Sequence, residues 1–315
     1  MAAGAASNQL RSAFVVETTP GTTPATPSFK TLHQGILFDD DTQRMSQPSL
    51  IARGANFGDA LLYRKAAGKI SNANIVYLVY DTWLESLLQS SFVANVMSDG
   101  TSVQAHTVEN TIPAGVGGTS IMKRYTGVEA IGAKISADAL GKVQFDMDFL
   151  GMSSVAATNT AIAGATYTDP ANKDPFSATT DIGAITIAGF TLDDLVSMEM
   201  DLSYGDRDGQ PKLGTDTLAG IARGAFRPML KFKFYIQSNF QALYDAARVQ
   251  TQTTAKVTVN MGSVTLKKYK WEFWDCNINT SALELGGSSG FLNVTVEPKY
   301  SPANSCILTL TRAVA

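Results

Sequence analysis

The chain has 315 residues, of which 17% are charged and 44% hydrophobic, and its formal net charge at pH 7 is −3. This composition is typical of a folded chain with one large or two ordinary domains, and it argues against intrinsic disorder. Because lysine and arginine form no basic block, we do not expect a protein that binds nucleic acid tightly. No apolar run is long enough to cross a bilayer, so we do not expect a membrane protein.

Residues 1–32 are predicted to form an extended arm. An apolar strand starts at Phe14, and three prolines then follow among threonines. Proline fixes φ, lacks a backbone donor and drives its predecessor towards extended geometry, so this run is neither helix nor central strand. It is interpreted as a linker or as an arm lying on a neighbouring subunit. The residues expected in that contact are Glu17, Pro20, Gly21, Pro24, Pro27 and Phe29.

After the arm, apolar and less apolar residues alternate with a period of two, which predicts strands with one buried face. Glycine-rich clusters at 205–209 and 286–290 separate some of these runs. The apolar positions are Ile75, Tyr77 and Val79; Val143, Phe145, Met147 and Phe149; Met198, Met200, Leu202 and Tyr204; Leu230, Phe232, Phe234 and Ile236; and Leu292, Val294 and Val296.

Two short stretches, 81–88 and 238–247, show helical spacing instead, and the first offers an Asp or a Thr as its N-cap. Their apolar faces would comprise Trp83, Leu84, Leu87 and Leu88 in one and Phe240, Leu243, Tyr244 and Ala247 in the other. The sequence therefore predicts a mostly β chain with one helix in each half.

The order of elements occurs twice. The strands at Ile75 and Phe232, 157 residues apart, each lead into a predicted helix, and Gly141 and Gly290 each precede a strand. The pentapeptide Ile-Ala-Arg-Gly-Ala also occurs twice, at 51–55 and 221–225. We predict two tandem β-sandwich or barrel domains, 33–156 and 181–315, joined by a linker at 157–180. Each would have packed antiparallel sheets and one flanking helix.

No motif predicts catalysis or a cofactor. Residues 286–290 fit the Gly-x-Ser-x-Gly pattern of hydrolases, but that motif precedes a helix and here a strand follows, which predicts a hairpin loop. Asp206 and Asp208 resemble part of a calcium loop whose first ligand position falls on Tyr204, so a hairpin tip is expected. We expect no metal, no cofactor and no enzymatic activity.

The two cysteines, Cys276 and Cys306, are too few for a disulfide framework and are expected to be free thiols. The first residues lack the pattern of a signal peptide, which favours folding in a reducing cytoplasm. The aromatic run at Trp271, Phe273 and Trp274 is interpreted as core packing or a subunit contact, or as a ligand platform.

The run from Phe14 to Leu32 resembles the opening of a family of phage major tail tube proteins. Members have an apolar strand, a Glu, a Gly-Thr-Thr-Pro-x-Thr-Pro turn, then an aromatic residue and Thr-Leu. The resemblance continues through Arg53-Gly54, the strand and helix at 68–88, and the second-half equivalents at 219–247. It implies packed antiparallel sheets with a flanking helix, and six such domains closing a ring. Stacked rings would form the hollow tube of a long, non-contractile tail through which double-stranded DNA leaves.

The resemblance also implies partners. If one chain supplies two domains, three copies complete a pseudo-hexameric ring; without duplication, six are needed. The tape measure, tail terminator and distal tail proteins would be further partners. DNA would pass without specific binding, and assembly would take place in the host cytoplasm.

A conduit for DNA should repel phosphate mildly, because a positive wall would hold the DNA. Three predicted strands alternate core positions with acidic or polar ones, which are expected to face the lumen or else an ordinary outer surface. These residues are Asp146, Asp148, Glu199, Asp201, Asn293, Thr295 and Glu297.

Two other classes remain open. One is another ring-forming phage component, such as a tail terminator, distal tail or capsid decoration protein. The other is a carbohydrate-binding or adhesin β-sandwich, which would favour a secretion signal or an exposed aromatic platform.

Overall fold

The computed structural model describes residues 10–46, 59–114, 118–139, 141–183, 185–187, 190–192, 194–236, 255–286 and 289–314. Within these residues the chain forms 21 strands and one short helix, which confirms the expected mostly β fold. Most strands belong to a central sheet and two flanking sheets, and two long strands pass from a flanking sheet into the central one.

The first flanking sheet contains the beginning of the chain. Its order is β10 (Thr166–Thr168), β2 (Ser28–Thr31), β1 (Arg11–Val16), β6 (His106–Ile112), the first half of β7 (Ile121–Asp138) and β9 (Ser153–Thr158). Neighbours are antiparallel except β10 and β2. The N-terminal strand β1 is therefore an interior strand between β2 and β6.

The central sheet is antiparallel throughout and joins the two halves of the chain. Its order is β3 (Leu37–Ser46), β4 (Asp59–Asn74), β8 (Gln144–Gly151), the second half of β7, β13 (Leu195–Gly205), β17 (Met229–Tyr235), β20 (Ser289–Glu297) and the second half of β19 (Tyr269–Gly286).

The second flanking sheet belongs mainly to the C-terminal half. Its order is β12 (Phe190–Leu192), β11 (Ile185–Ile187), β18 (Ala255–Met261), the first half of β19, β21 (Leu308–Arg312) and β5 (Val96–Ser98). A separate hairpin of β14 (Gly209–Pro211) and β15 (Leu218–Ile221) follows β13, and β16 (Ala225–Phe226) pairs with the end of β13.

One hydrophobic core fills the space between the sheets. Four of the five predicted strands form, as β8, β13, β17 and β20, and most of their predicted apolar positions are buried. Tyr204 is only partly buried, and Ile236 lies beyond the end of β17 and is exposed. Trp271 and Phe273 of β19 are fully buried, so core packing explains them rather than a ligand platform. Cys276 and Cys306 are free and buried, which confirms the prediction for both thiols.

The prediction of a strand at Ile75, Tyr77 and Val79 is wrong. Strand β4 ends at Asn74, and residues 77–80 form a turn in which Leu78 has a φ of 65°. The three apolar residues are nonetheless buried. Their alternation reflects burial in a turn that is held by tertiary hydrogen bonds, such as the one that the Leu78 amide donates to the Tyr269 hydroxyl (2.8 Å).

The predicted helix at 81–88 forms as α1 (Asp81–Leu88), and its predicted apolar face is buried. The expected side-chain N-cap is absent: the N-cap position is Tyr80, which makes no capping hydrogen bond. The Asp81 carboxylate instead accepts hydrogen bonds from the Tyr269 hydroxyl and from Arg312 Nη1, the latter at 2.6 Å. Arg312, from the other half of the chain, thus binds the carboxylate that was expected to cap the helix.

The remaining predictions are placed as follows. The helix predicted at 238–247 lies outside the described residues. The stretch predicted as a linker, 157–180, contains β10, which pairs with β2 of the first half, and Phe176, which is buried beside Tyr269 of the second half. Gly286 pairs with Ser289, so the Gly-x-Ser-x-Gly motif joins two antiparallel strands as a hairpin, as predicted.

His106 gives a pH dependence that can be measured. Its ring is fully buried against Trp83 and Phe14, and burial lowers its pKa to about 3. The unfolded chain takes up a proton below about pH 6.5 and the folded chain does not, so stability falls as the pH falls from there. Because of His106, we expect the free energy of unfolding to fall by about 2 kcal/mol when the pH is lowered from about 8 to about 5. Denaturant titrations of the native chain and His106→Gln test this, and identical pH slopes would contradict it.

Candidate functional site: the polar face of the central sheet

The seven residues predicted to line a channel lie on one face of the central sheet. In β8, Phe145 and Met147 point into the core, whereas Asp148 is exposed. Cross-strand partners share a face, and Asp146 is opposite Lys134 of β7, which is opposite Asp201 of β13. We call the surface turned away from the core the polar face. It carries Asp146, Asp148, Glu199, Asp201, Asn293, Thr295 and Glu297.

The polar face also carries lysines, which were not among the residues predicted to line a channel. Glu199 of β13 lies between two of them, with carboxylate oxygens 2.6 Å from Lys134 Nζ and 2.9 Å from Lys231 Nζ. Lys233 Nζ is 2.6 Å from the Glu284 carboxylate, and Lys69 Nζ is 3.8 Å from the Asp148 carboxylate. Lys69, Lys134, Lys231 and Lys233 of this face therefore each have a carboxylate within 4 Å.

These ion pairs shift the pKa values of their members. Partial burial acts to raise the pKa of Glu199, but the hydrogen bonds from Lys134 and Lys231 outweigh burial and hold it below its usual value. The hydrogen bond to Glu199 in turn raises the pKa of Lys134. Both charged forms are thus favoured at neutral pH.

Carboxylates outnumber lysines on the described strands of the polar face. Among the side chains that the structure describes on this face, the acids are Asp39, Asp138, Asp146, Asp148, Glu199, Asp201, Glu284 and Glu297, and the lysines are Lys69, Lys134, Lys231 and Lys233. The face is therefore negative overall, but much less so than its acids alone imply. A face of this kind repels phosphate weakly and offers it no cluster of unpaired cations.

The two halves of the chain meet in the middle of the central sheet. Strands β7 and β13 pair there from Gly132 opposite Ser203 to Asp138 opposite Ser197. We call this ladder the seam. It joins two sets of four strands in the same order, β3-β4-β8-β7 and β13-β17-β20-β19.

A buried ion cluster lies beside the seam. Glu129 of β7 is 1% exposed, and its carboxylate oxygens lie 2.6 Å from Arg207 Nη2 and 3.0 Å from Arg223 Nη2. The two arginines flank the β14–β15 hairpin, so the cluster ties that connection of the second half to a strand of the first. The cluster could not be predicted from local sequence, because one ion pair joins residues 78 apart in the chain and the other joins residues 94 apart.

Both outer edges of the central sheet are open in the described structure. Strand β3 pairs there only with β4, and the second half of β19 pairs only with β20. Leu37, at the start of β3, is 68% exposed. Open edges of this length are templates for pairing with another strand.

The predicted N-terminal arm is partly built into the fold. A turn at Pro20-Gly21, with the Gly21 φ at 84°, turns the chain between β1 and β2. The buried Glu17 carboxylate accepts hydrogen bonds from the Gly21 amide (2.6 Å), the Thr107 hydroxyl (2.7 Å) and the Gly127 amide (3.0 Å).

The other residues predicted for the arm divide between the core and the surface. Phe29 is fully buried and stacks on Tyr167, and Pro27 is buried as well. Pro20 is exposed and Pro24 half-buried. A contact of this segment with a neighbouring subunit stays a prediction and now concerns the exposed tip around Pro20.

Comparison with known proteins found a protein family whose model spans both halves of the chain. A family model described as phage tail tube protein matches residues 7–296. No curated protein matched the chain. Among the described residues, no helix is long and apolar enough to cross a membrane, and no three side chains of the metal-binding types are grouped.

Proposed function

The chain belongs to the phage tail tube protein family and is a structural component of the virion tail, and on that premise we propose how it builds the tube. Copies of the chain close into trimeric, pseudo-hexameric rings, the rings stack, and the polar face lines a channel that conducts double-stranded DNA during ejection. The proposal includes no catalytic role and no cofactor. The observation that supports it is the seam, because the pairing of β7 with β13 shows how β19 of one chain would pair with β3 of the next.

The two halves correspond strand by strand, which supports a tandem duplication. Lys69 of β4 pairs with Leu37 on one side and Asp148 on the other. Lys231 of β17 pairs in the same way with Glu199 and Thr295. In the proposed duplication we take Lys69 and Lys231, which are 162 residues apart, as equivalent positions.

The same comparison relates the two long strands. Ser136 of β7 is opposite Gln144, and Glu284 of β19 is opposite Phe291, at corresponding places in the ladders. Ser136 therefore corresponds to Glu284, just as Glu199 corresponds to Leu37. In the seam, Ser136 is paired with Glu199. If β19 of one chain pairs with β3 of the next as β7 pairs with β13 in the seam, Glu284 lies opposite Leu37.

A pairing of this kind hides both open edges only if the rotation closes a ring. Each chain contributes two equivalent units, so three chains supply the six units that the ring requires. The exposed Leu37 side chain would then be covered at the junction. Tape measure, tail terminator and distal tail proteins are the partners that such a tube needs at its interior and its ends.

Cysteine cross-linking tests this register. The variant with Leu37→Cys and Glu284→Cys should give covalently closed rings of three chains on oxidation, because directly opposed residues have Cβ atoms about 5 Å apart. The native Cys276 and Cys306 are buried and should not interfere. The matched control replaces Asn279 instead of Glu284, which moves the second thiol along β19 by about 16 Å.

Denaturing gels of assembled material provide the measurement. Trimers from the Leu37–Glu284 variant and only traces from the control are expected. Equal cross-linking in both, or covalent rings of six chains, would contradict the proposed junction. Electron microscopy of the same samples separates the alternatives: open-ended tubes support a tube protein, whereas single rings would indicate a terminator, distal tail or decoration protein.

A further inference from the structure

The lysines of the polar face need an explanation in a channel that carries DNA. Lys134 and Lys231 lie on strands either side of Glu199, and their side chains are 44% and 53% exposed. Strands two apart in a sheet are separated by about 10 Å, so these ammonium groups would present two neighbouring positive charges if nothing neutralised them. They border a surface depression of about 520 Å³ that is open to an approaching phosphate group.

We propose that Glu199 masks Lys134 and Lys231 so that passing DNA meets no unpaired cations on this wall, an inference that rests on the proposed function. Each carboxylate oxygen binds one ammonium group, at 2.6 Å and 2.9 Å. One side chain on the middle strand thus neutralises lysines from both neighbours. The same contacts draw the lysine ends towards the sheet rather than towards the channel axis.

A second lysine site in the other half supports this reading. Lys69 occupies the position that corresponds to Lys231, but Leu37 stands there in place of Glu199. The carboxylate comes instead from Asp148 on the opposite neighbour, where the second half has Thr295. Both lysines therefore have an acidic partner, although it comes from a different strand in each half.

Stability does not account for these pairs. Exposed ion pairs contribute only about 0–1 kcal/mol, and long side chains lose entropy when they are held in place. Phosphate contacts, in contrast, add along a duplex and act in every ring of a tube. Masking therefore changes DNA passage far more than it changes folding.

The direct test is DNA binding by the unassembled full-length chain. Glu199→Gln keeps the size of the side chain but removes the charge that holds both lysines. We expect it to bind a short fluorescent DNA duplex at least about tenfold more tightly than the native chain at low salt, with a log–log salt slope steeper by about 2, one for each freed lysine. Glu297→Gln is the matched control, because it makes the same substitution on the same face, on β20 and away from Lys134.

The outcomes separate the two claims. Equal DNA binding by Glu199→Gln and Glu297→Gln would overturn the masking role, since net charge alone would then explain the effect. Adding Lys134→Ala and Lys231→Ala to Glu199→Gln should return binding to the native level, and failure to do so would also overturn it. If Glu199→Gln binds DNA as expected but virions carrying it eject their DNA normally, masking stands and the placement of this face in the channel is wrong.

Discussion

Glu129→Gln is expected to lower the free energy of unfolding by about 3–5 kcal/mol, the cost of leaving one member of a buried ion pair uncompensated. Arg207 has a side chain only 1% exposed, so water cannot replace the lost carboxylate without opening the structure. The cluster also joins the β14–β15 connection to β7, so the seam should weaken with it. Urea denaturation of the purified chain measures the change.

Glu284→Gln is the control for this prediction. It makes the same substitution in an ion pair with Lys233 at the surface, where solvent screens the charges and a much smaller loss is expected. Pairing Glu129→Gln with Arg207→Met should restore part of the lost stability, because no buried charge is then left unpaired. Similar losses for Glu129→Gln and Glu284→Gln would show that the buried cluster does not hold the halves together.

Replacing Asp148 and Asp201 with lysine should leave the fold intact and impair genome delivery. Both side chains lie on the polar face, where exposed substitutions usually change stability by about 0.5 kcal/mol or less. In the proposed ring, three chains would add six ammonium groups to every layer, and phosphate contacts accumulate along the tube. We expect infectivity to fall about a hundredfold or more while tail morphology stays normal.

The control for channel charge is the double variant Asp174→Lys and Asp216→Lys, which makes the same charge change at exposed positions off the polar face. DNA ejection from purified virions should be slow only for the variant of Asp148 and Asp201. Normal ejection from it, or equal impairment of both variants, would contradict a channel lined by the polar face.

The sequence sufficed for those features that depend on local periodicity. In β8, β13 and β20 the seven polar residues alternate with apolar ones, so the sequence predicted that each lies on the side of its strand away from the core. All seven lie on one face in the structure because the three strands belong to one sheet. Helical spacing likewise predicted the buried face of α1. These predictions work because the side-chain period of a strand or helix is fixed by the backbone itself.

Features set by register or by distant contacts could not be predicted. Lys231 was visible in the sequence, but its pairing with Glu199 depends on how β13 aligns with β17. The proline rule predicted that the segment from Glu17 to Pro27 is neither helix nor central strand, and the structure agrees. It could not predict the burial of Glu17, which depends on Thr107 and Gly127, far along the chain. Sequence alternation likewise could not show that a tertiary hydrogen bond to the Leu78 amide would turn the chain after β4.

The most direct test of the central claim, that copies of the seam close a ring around the polar face, is a cryo-EM reconstruction of the assembled tube. The account predicts three chains per ring, with β3 of each chain paired to β19 of its neighbour and Glu284 opposite Leu37. Glu199 and Asp201 should face the channel. Six chains per ring, or a polar face on the outside of the tube, would contradict it.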